Sequence, residues 1–171
     1  MTNPASVGAV EELPHEKVEH FVRELAEILK RYPPDRKAAA MIPALRLGQE
    51  LFGYVSPAVQ KLAAERLGVS PARAEEVATF YVMLDTEPIG RHVVEVCTNV
   101  ACSLTGASGI WEHLKKKLAL ANKGTTADGR ITLREVECLG SCGTAPAMLV
   151  DEEMHERLTI EKVDQIVGGL K

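Results

Sequence analysis

The sequence predicts an α+β chain, a helical bundle followed by an α/β half, and three patterns carry that reading. Apolar residues recur at Val18, Phe21, Val22, Leu25, Ile28 and Leu29, the period of a helix. Ser56-Pro57 and Ser70-Pro71 each set a capping hydroxyl before a proline suited to the first helical position. Beyond residue 91 the pattern changes, and two Val- and Ile-containing runs at 92–96 and 131–136 flank one helical stripe.

Taken in order, residues 1–14 have little periodicity and read as a flexible lead-in. The first helix starts at His15, with Glu19, Arg23, Glu27 and Lys30 opposite its apolar stripe, and Tyr32-Pro33-Pro34 stops it. A second helix is expected from near Asp35, including residues 38–51, with Pro43 weakening its first half or marking a later start, and Gly53 ending it. Two short helices follow the Ser-Pro caps, the first closing at Gly68. Their spacing resembles a DNA-binding helix-turn-helix with Val69 at the turn. Charge argues against it: Glu75 and Glu76 against Arg73 would face phosphates with the wrong sign. A helical bundle over 15–87 that packs on a protein partner is the better reading.

Residues 85–91, with Pro88 and Gly90, form the junction to a second domain over 88–171. The strand 92–96 delivers Cys97 at its C-terminal end, where a loop turns back with Cys102. A helix beginning near Gly106 or Ser108 carries Ile110, Leu114 and Leu118, with Lys115, Lys116 and Lys117 near its negative C-terminal end. Its positive end then points toward the Cys97 and Cys102 loop, which favours an anionic group there. Residues 121–130 form a polar crossover into the strand 131–136, which leads to Cys138. In a parallel unit the C-terminal strand ends lie on one side, so the two cysteine loops meet. A strand at 147–150, a turn at 151–153 and an edge strand at 154–158 precede a last helix capped by Thr159, whose Val163, Ile166, Val167 and Leu170 are core. Pro146 holds Ala145 extended beside the second loop.

The four cysteines are the candidate site: C-x4-C at Cys97 and Cys102, then 35 residues, then C-x3-C at Cys138 and Cys142. Four thiolates on two short loops can surround an iron-sulfur cluster or one tetrahedral zinc. No basic-then-apolar leader stands at residues 1–9 and no apolar run nears the ~18 residues of a membrane span, so the sequence reads as cytoplasmic, a setting that demotes disulfides. His15, His20, His92, His113 and His155 show no Cys-x-His pairing, which argues against a Rieske centre; His92 and His113 read as surface or packing residues. Gly140, Ser141, Gly143 and Thr144 let backbone N–H groups approach sulfur and favour the cluster. Their plainer reading as turn residues leaves zinc open.

The blocks Val96-Cys97-Thr98-Asn99-Val100-Ala101-Cys102 and Glu135-Val136-Glu137-Cys138-Leu139-Gly140-Ser141-Cys142-Gly143-Thr144-Ala145-Pro146 resemble the [2Fe-2S] E-subunit family of NADH:quinone oxidoreductase, respiratory complex I. Thr79-Phe80-Tyr81-Val82-Met83, the stretch from Thr125 through Leu133, and Leu158-Thr159 extend the resemblance, which runs from about Val18 onward. One departure is Asp151, where many relatives are expected to carry Asn. The resemblance implies a thioredoxin-like [2Fe-2S] ferredoxin fold over 88–171 and one cluster on Cys97, Cys102, Cys138 and Cys142. It also implies FMN and NADH on a neighbouring subunit that the bundle contacts, further iron-sulfur subunits, and a peripheral position on the cytoplasmic side of the membrane. The chain is then a one-electron carrier off the main electron path, a reservoir or tuning centre. Subunits of NAD-linked hydrogenases and formate dehydrogenases share the motifs and are the alternative hosts.

Composition and missing motifs narrow the classes further. A formal charge of −4 argues against nucleic acid and anionic membranes, and one Trp, three Tyr and three Phe make no stacking platform. There is no G-x-G-x-x-G or G-x-x-x-x-G-K-[ST], so no recognisable nucleotide loop for NADH, and no Ser-His-Asp arrangement. A dithiol oxidoreductase would want C-x-x-C, which neither pair supplies.

Overall fold

The structure is a computed structural model that describes residues 13–171; all but the last two residues of the lead-in expected at 1–14 lie outside them. The chain divides into two compact units between Pro88 and Ile89.

In the first unit, α1 (His15–Leu29) buries Phe21 and Leu25 and leaves its charged face to solvent. Residues 34–40 form a 3-10 segment, broken at Arg36, and α2 (Met41–Phe52) starts only at Met41. The helix expected from near Asp35 is thus later, and Pro43 falls in its first turn, where a missing N–H costs no helical bond. Gly53 closes α2 with φ 91°. Ser56 Oγ accepts from the N–H of Val59 to start α3 (Pro57–Leu67), and Ser70 Oγ accepts from that of Arg73 to start α4 (Pro71–Phe80). Arg73 is paired with Glu76 at 2.6 Å, so the cation on α4 is already engaged. Phe21, Leu45, Val55 and Val59, each fully buried, centre the core. Gly48 lets α2 meet α3, since a Cβ there would lie 2.4 Å from Val59 Cγ1.

The second unit is a five-stranded mixed sheet in the order β2-β3-β1-β4-β5, with β1 (His92–Cys97), β2 (Gly124–Thr125), β3 (Ile131–Val136), β4 (Met148–Val150) and β5 (Glu153–His155). The strands β1 and β3 are parallel, with His92 beside Ile131 and Cys97 beside Val136; the other pairings are antiparallel. Side chains alternate across a strand, so Val94, Val96, Ile131 and Leu133 share the buried face. Onto that core pack Ile110, Trp111 and Leu114 of α6 (Ala107–Leu118) and Val163 and Val167 of α7 (Ile160–Gly169). Burying side chains of this size contributes about 1.5–3 kcal/mol each.

Three details differ from the sequence expectation. Cys102 sits in a five-residue helix, α5 (Val100–Leu104), where a plain loop is expected. The crossover contains β2, which antiparallel bonds hold to β3. The edge strand is Glu153–His155 rather than 154–158, because Arg157 and Leu158 turn their N–H groups to the carbonyls of Thr144 and Pro146.

Candidate iron-sulfur centre

Each cysteine is placed by an element boundary. Cys97 ends β1, where its N–H donates to Ala147 and the N–H of Thr98 donates to Val136. Asn99 caps the next turn by accepting from the N–H of Val100, and that turn becomes α5, which carries Cys102. Cys138 lies two residues past β3, and Cys142 opens a single 3-10 turn, Cys142–Thr144. The parallel pairing of β1 with β3 therefore brings both cysteine loops to one end of the sheet, as the strand-helix-strand pattern predicts.

All four thiols are free. Cys97 and Cys102 are buried with Ala107 and Ala147, and Val136, Leu139 and Ala145 pack against this small apolar cluster. Cys97 Sγ donates to the carbonyl of Glu137 at 3.9 Å, a link from the first loop to the second. Cys138 and Cys142 are exposed, and the N–H of Gly140, at φ 77°, donates to Cys138 Sγ at 3.3 Å. The structure thus brings Cys97 and Cys102 side by side and places Cys142 within electrostatic reach of Cys102. Among the described residues no three His, Cys, Asp or Glu side chains converge on one point.

Burial pushes the Cys102 thiol up, and the hydrogen bond with Cys97 and the charges of Cys97 and Cys142 add to it, while the N–H of Ala147 opposes. Two or more thiolates held this close repel each other, and a bound cation core is what relieves that repulsion. Ala107, the first residue of α6, is fully buried in the same cluster, so the positive end of that helix faces the thiols. The donor set therefore suits a thiolate-bound iron-sulfur group: sulfur ligands in two pairs, an N–H donor to sulfur, an apolar wall and a helix N-terminus.

Residues that spacing does not reveal complete the site. Each hydroxyl within two residues of a cysteine donates to oxygen: Thr98 to Glu135 at 2.6 Å, Ser103 to the carbonyl of Thr98 at 2.7 Å, Ser141 to Glu156 at 2.5 Å, and Thr144 to the same Glu156 oxygen. His92 and His113 lie on polar contacts elsewhere, with Asp151 and Asp164 respectively. The Ala145-Pro146 bond is cis, with Ala145 extended as Pro146 requires.

Comparison with known proteins gives the same picture. The model of the thioredoxin-like [2Fe-2S] ferredoxin family matches residues 25–171. The NADH-quinone oxidoreductase E subunit of Rickettsia prowazekii is 39% identical over 145 residues, 84% of this chain and 82% of that protein. The corresponding protein of Mycobacterium bovis is 35% identical over 96% of this chain and 64% of its own length. Among solved structures, an NAD+-reducing [NiFe]-hydrogenase in the H2-reduced state shares the fold, with a TM-score of 0.67 and 21% identity over 77% of this chain and 22% of that one. A family match across both cysteine loops and a relative this similar over most of both lengths lead to one conclusion: the chain belongs to the thioredoxin-like [2Fe-2S] ferredoxin family, and within it to the E subunits of NADH-quinone oxidoreductase.

Proposed function

We propose that Cys97, Cys102, Cys138 and Cys142 hold one [2Fe-2S] cluster, and that the chain is the one-electron carrier subunit of an NADH dehydrogenase module. The observation that carries this is the family match spanning both cysteine loops, in a fold that sets them at one end of two parallel strands. Such a cluster, when bound, takes up and releases one electron at a time. The chain's own residues supply the rest. Cys97 and Cys102 would hold the group from the buried side and Cys138 and Cys142 from the exposed side. The N–H of Gly140 and the start of α6 stabilise negative charge there.

FMN and NADH belong to a neighbouring subunit, which the helical unit contacts, so this chain alone does not oxidise NADH. The absence of a nucleotide loop in the sequence and the outward-facing Phe80, Val82 and Met83 support that division of labour. Further iron-sulfur subunits then pass electrons to quinone, with this cluster beside the main path as a reservoir. Among the described residues no helix is long and apolar enough to cross a membrane; a peripheral place on the cytoplasmic side goes with the E-subunit reading. Identity of 35–39% to E subunits of NADH-quinone oxidoreductase favours the quinone-linked host.

The test is an anaerobic visible spectrum with iron, sulfide and zinc analysis, followed by dithionite and low-temperature EPR. Equal iron and sulfide, bands that bleach on reduction and a rhombic spin-half signal are expected. Zinc in a colourless protein, after growth with ample iron and sulfur, would overturn the assignment.

A further inference from the structure

The second cysteine loop is tied to the strand-to-helix connection that follows β5. One carboxylate oxygen of Glu156 accepts from both Ser141, the residue before Cys142, and Thr144, two residues after it. The backbone around Glu156 holds the same loop, since the N–H groups of Arg157 and Leu158 donate to the carbonyls of Thr144 and Pro146 at 2.8 and 3.1 Å. Lys162 Nζ donates to the carbonyl of Glu156 at 2.6 Å, which fixes the connection to the first turn of α7. The backbone at Glu156 is thus fixed against the loop, and its carboxylate would lose two hydroxyl donors by turning away.

The arrangement decides where two hydroxyl hydrogens point. A hydroxyl has one hydrogen to give, and Ser141 and Thr144 both spend theirs on a carboxylate. Freed from Glu156, Ser141 could turn toward the neighbouring Cys142 thiolate, and Thr144 could do so against one weaker acceptor, the carbonyl of Ser141 at 3.4 Å. Hydrogen bonds to cluster sulfurs are among the main levers on an iron-sulfur potential. A donor to sulfur favours the more negative, reduced form and raises the potential; a nearby carboxylate does the opposite.

On the reading that the four cysteines hold a [2Fe-2S] centre, we propose that Glu156 is a positioning residue that keeps the Ser141 and Thr144 hydroxyls off the sulfurs and so holds the cluster potential low. Two contributions act in the same direction, the withheld donors and the charge itself, with Arg157 and Lys162 left as nearby cations when the carboxylate is removed. Different variants separate them.

The experiment is an EPR-monitored redox titration of the full chain with its cluster, with iron and sulfide measured on every sample. Glu156→Ala is expected to raise the midpoint potential. Glu156→Gln, the same shape with one acceptor oxygen kept, is expected to raise it less. Ser141→Ala with Thr144→Val, in the presence of Glu156, is expected to leave it near the wild-type value, because those hydroxyls do not reach sulfur. The same pair added to Glu156→Ala is expected to bring the potential part of the way back, and pulsed EPR of Glu156→Ala to show a new exchangeable-hydrogen coupling that the triple variant lacks. A Glu156→Ala potential unchanged or lowered would overturn the proposal, as would a triple variant as high as Glu156→Ala. If Glu156→Ala assembles no cluster, an unshifted Glu156→Gln overturns it alone. A wild-type chain without equal iron and sulfide would strike the cluster assignment instead.

Discussion

Arg134 stands opposite Glu95 in the parallel β1–β3 ladder and donates from Nε to Glu95 Oε1 at 2.8 Å. The two side chains are 12% and 16% exposed, on the face of the sheet opposite Val94, Val96 and Leu133. A slip of β3 by one residue would turn Arg134 into the apolar core and leave Glu95 unpaired on the other face, so the pair marks the register that brings Cys97 beside Val136. Removing one partner leaves a charge nearly cut off from water. Arg134→Ala is expected to lower unfolding stability by about 3 kcal/mol. Arg134→Met together with Glu95→Leu should recover most of that loss, and urea unfolding of the three proteins measures it.

Gly90 sits where the chain enters the same ladder. Its N–H donates to Thr132 Oγ1 at 2.6 Å, and a Cβ would lie 2.9 Å from the backbone N and C of Ile131. Backbone in a paired strand cannot yield as a side-chain tip can. Gly90→Ala should cost about 2 kcal/mol, in the range for overpacking a tight site. Thermal unfolding that matches the wild type would show that β1 can shift without loss.

The two cysteine pairs differ in reactivity once the cluster is gone. Alkylation needs an accessible thiolate. Cys97 and Cys102 are 3% and 2% exposed, and burial pushes the Cys102 thiol up, whereas Cys138 and Cys142 are exposed. Iodoacetamide on the metal-free chain, followed by mass mapping, should label Cys138 and Cys142 first. On the cluster-bound chain all four should be protected. Equal labelling of all four in the metal-free chain would show that the buried pair opens readily.

Docking of the helical unit has a compact apolar candidate. Phe80 and Val82 are 76% and 68% exposed, at the end of α4 and just beyond it, and neither serves the core of their unit. Phe80→Ser with Val82→Ser should therefore leave thermal stability within about 0.5 kcal/mol of wild type, as for surface changes that break no core contact. The same variant is expected to lose co-purification with the flavin subunit while keeping its visible spectrum. Unimpaired co-purification would move the interface elsewhere.

Much of this was legible in the chain because it rests on local rules. Ser56, Ser70 and Thr159 cap the helices that their positions predict, accepting from Val59, Arg73 and Lys162. The Val- and Ile-containing runs at 92–96 and 131–136 gave both strands, and the strand-helix-strand order gave their parallel pairing. What escaped has no period. The helix α5 is five residues long, and Asn99 before Val100 is the one signal it leaves. The two-residue β2 exists through its pairing with β3, which no window of sequence contains. Glu135 and Glu156 lie 37 and 15 residues from the hydroxyls of Thr98 and Ser141 that they hold. Only the fold makes those carboxylates part of the site.

Asp151, where the resemblance leads one to expect Asn in many relatives, ties the turn after β4 to the start of β1. It occupies φ 55°, a left-handed position that Asp and Asn tolerate. Its Oδ1 accepts from the N–H of Val93 at 2.8 Å, and its Oδ2 faces His92 Nδ1 at 2.8 Å. The other ring nitrogen of His92 faces the carbonyl of Lys171 at 3.0 Å. With acceptors on both sides the ring does best as a double donor, the imidazolium. The hydrogen bond with Asp151 accordingly raises the His92 pKa, and the Lys171 carbonyl adds to it against slight desolvation. A raised folded value fixes the sign of the pH effect. The stabilisation is fully present below the ordinary histidine pKa of about 6.5 and is lost as pH rises through the higher folded value. Wild type should thus lose stability across that window relative to His92→Gln, which cannot titrate. Asp151→Asn keeps one oxygen for Val93, removes the carboxylate from His92, and should bring its pKa back toward the ordinary value. A titration of the His92 ring followed by NMR in the wild type and in Asp151→Asn reads this directly. Identical midpoints in the two proteins would mean that the carboxylate does not set the charge of the ring.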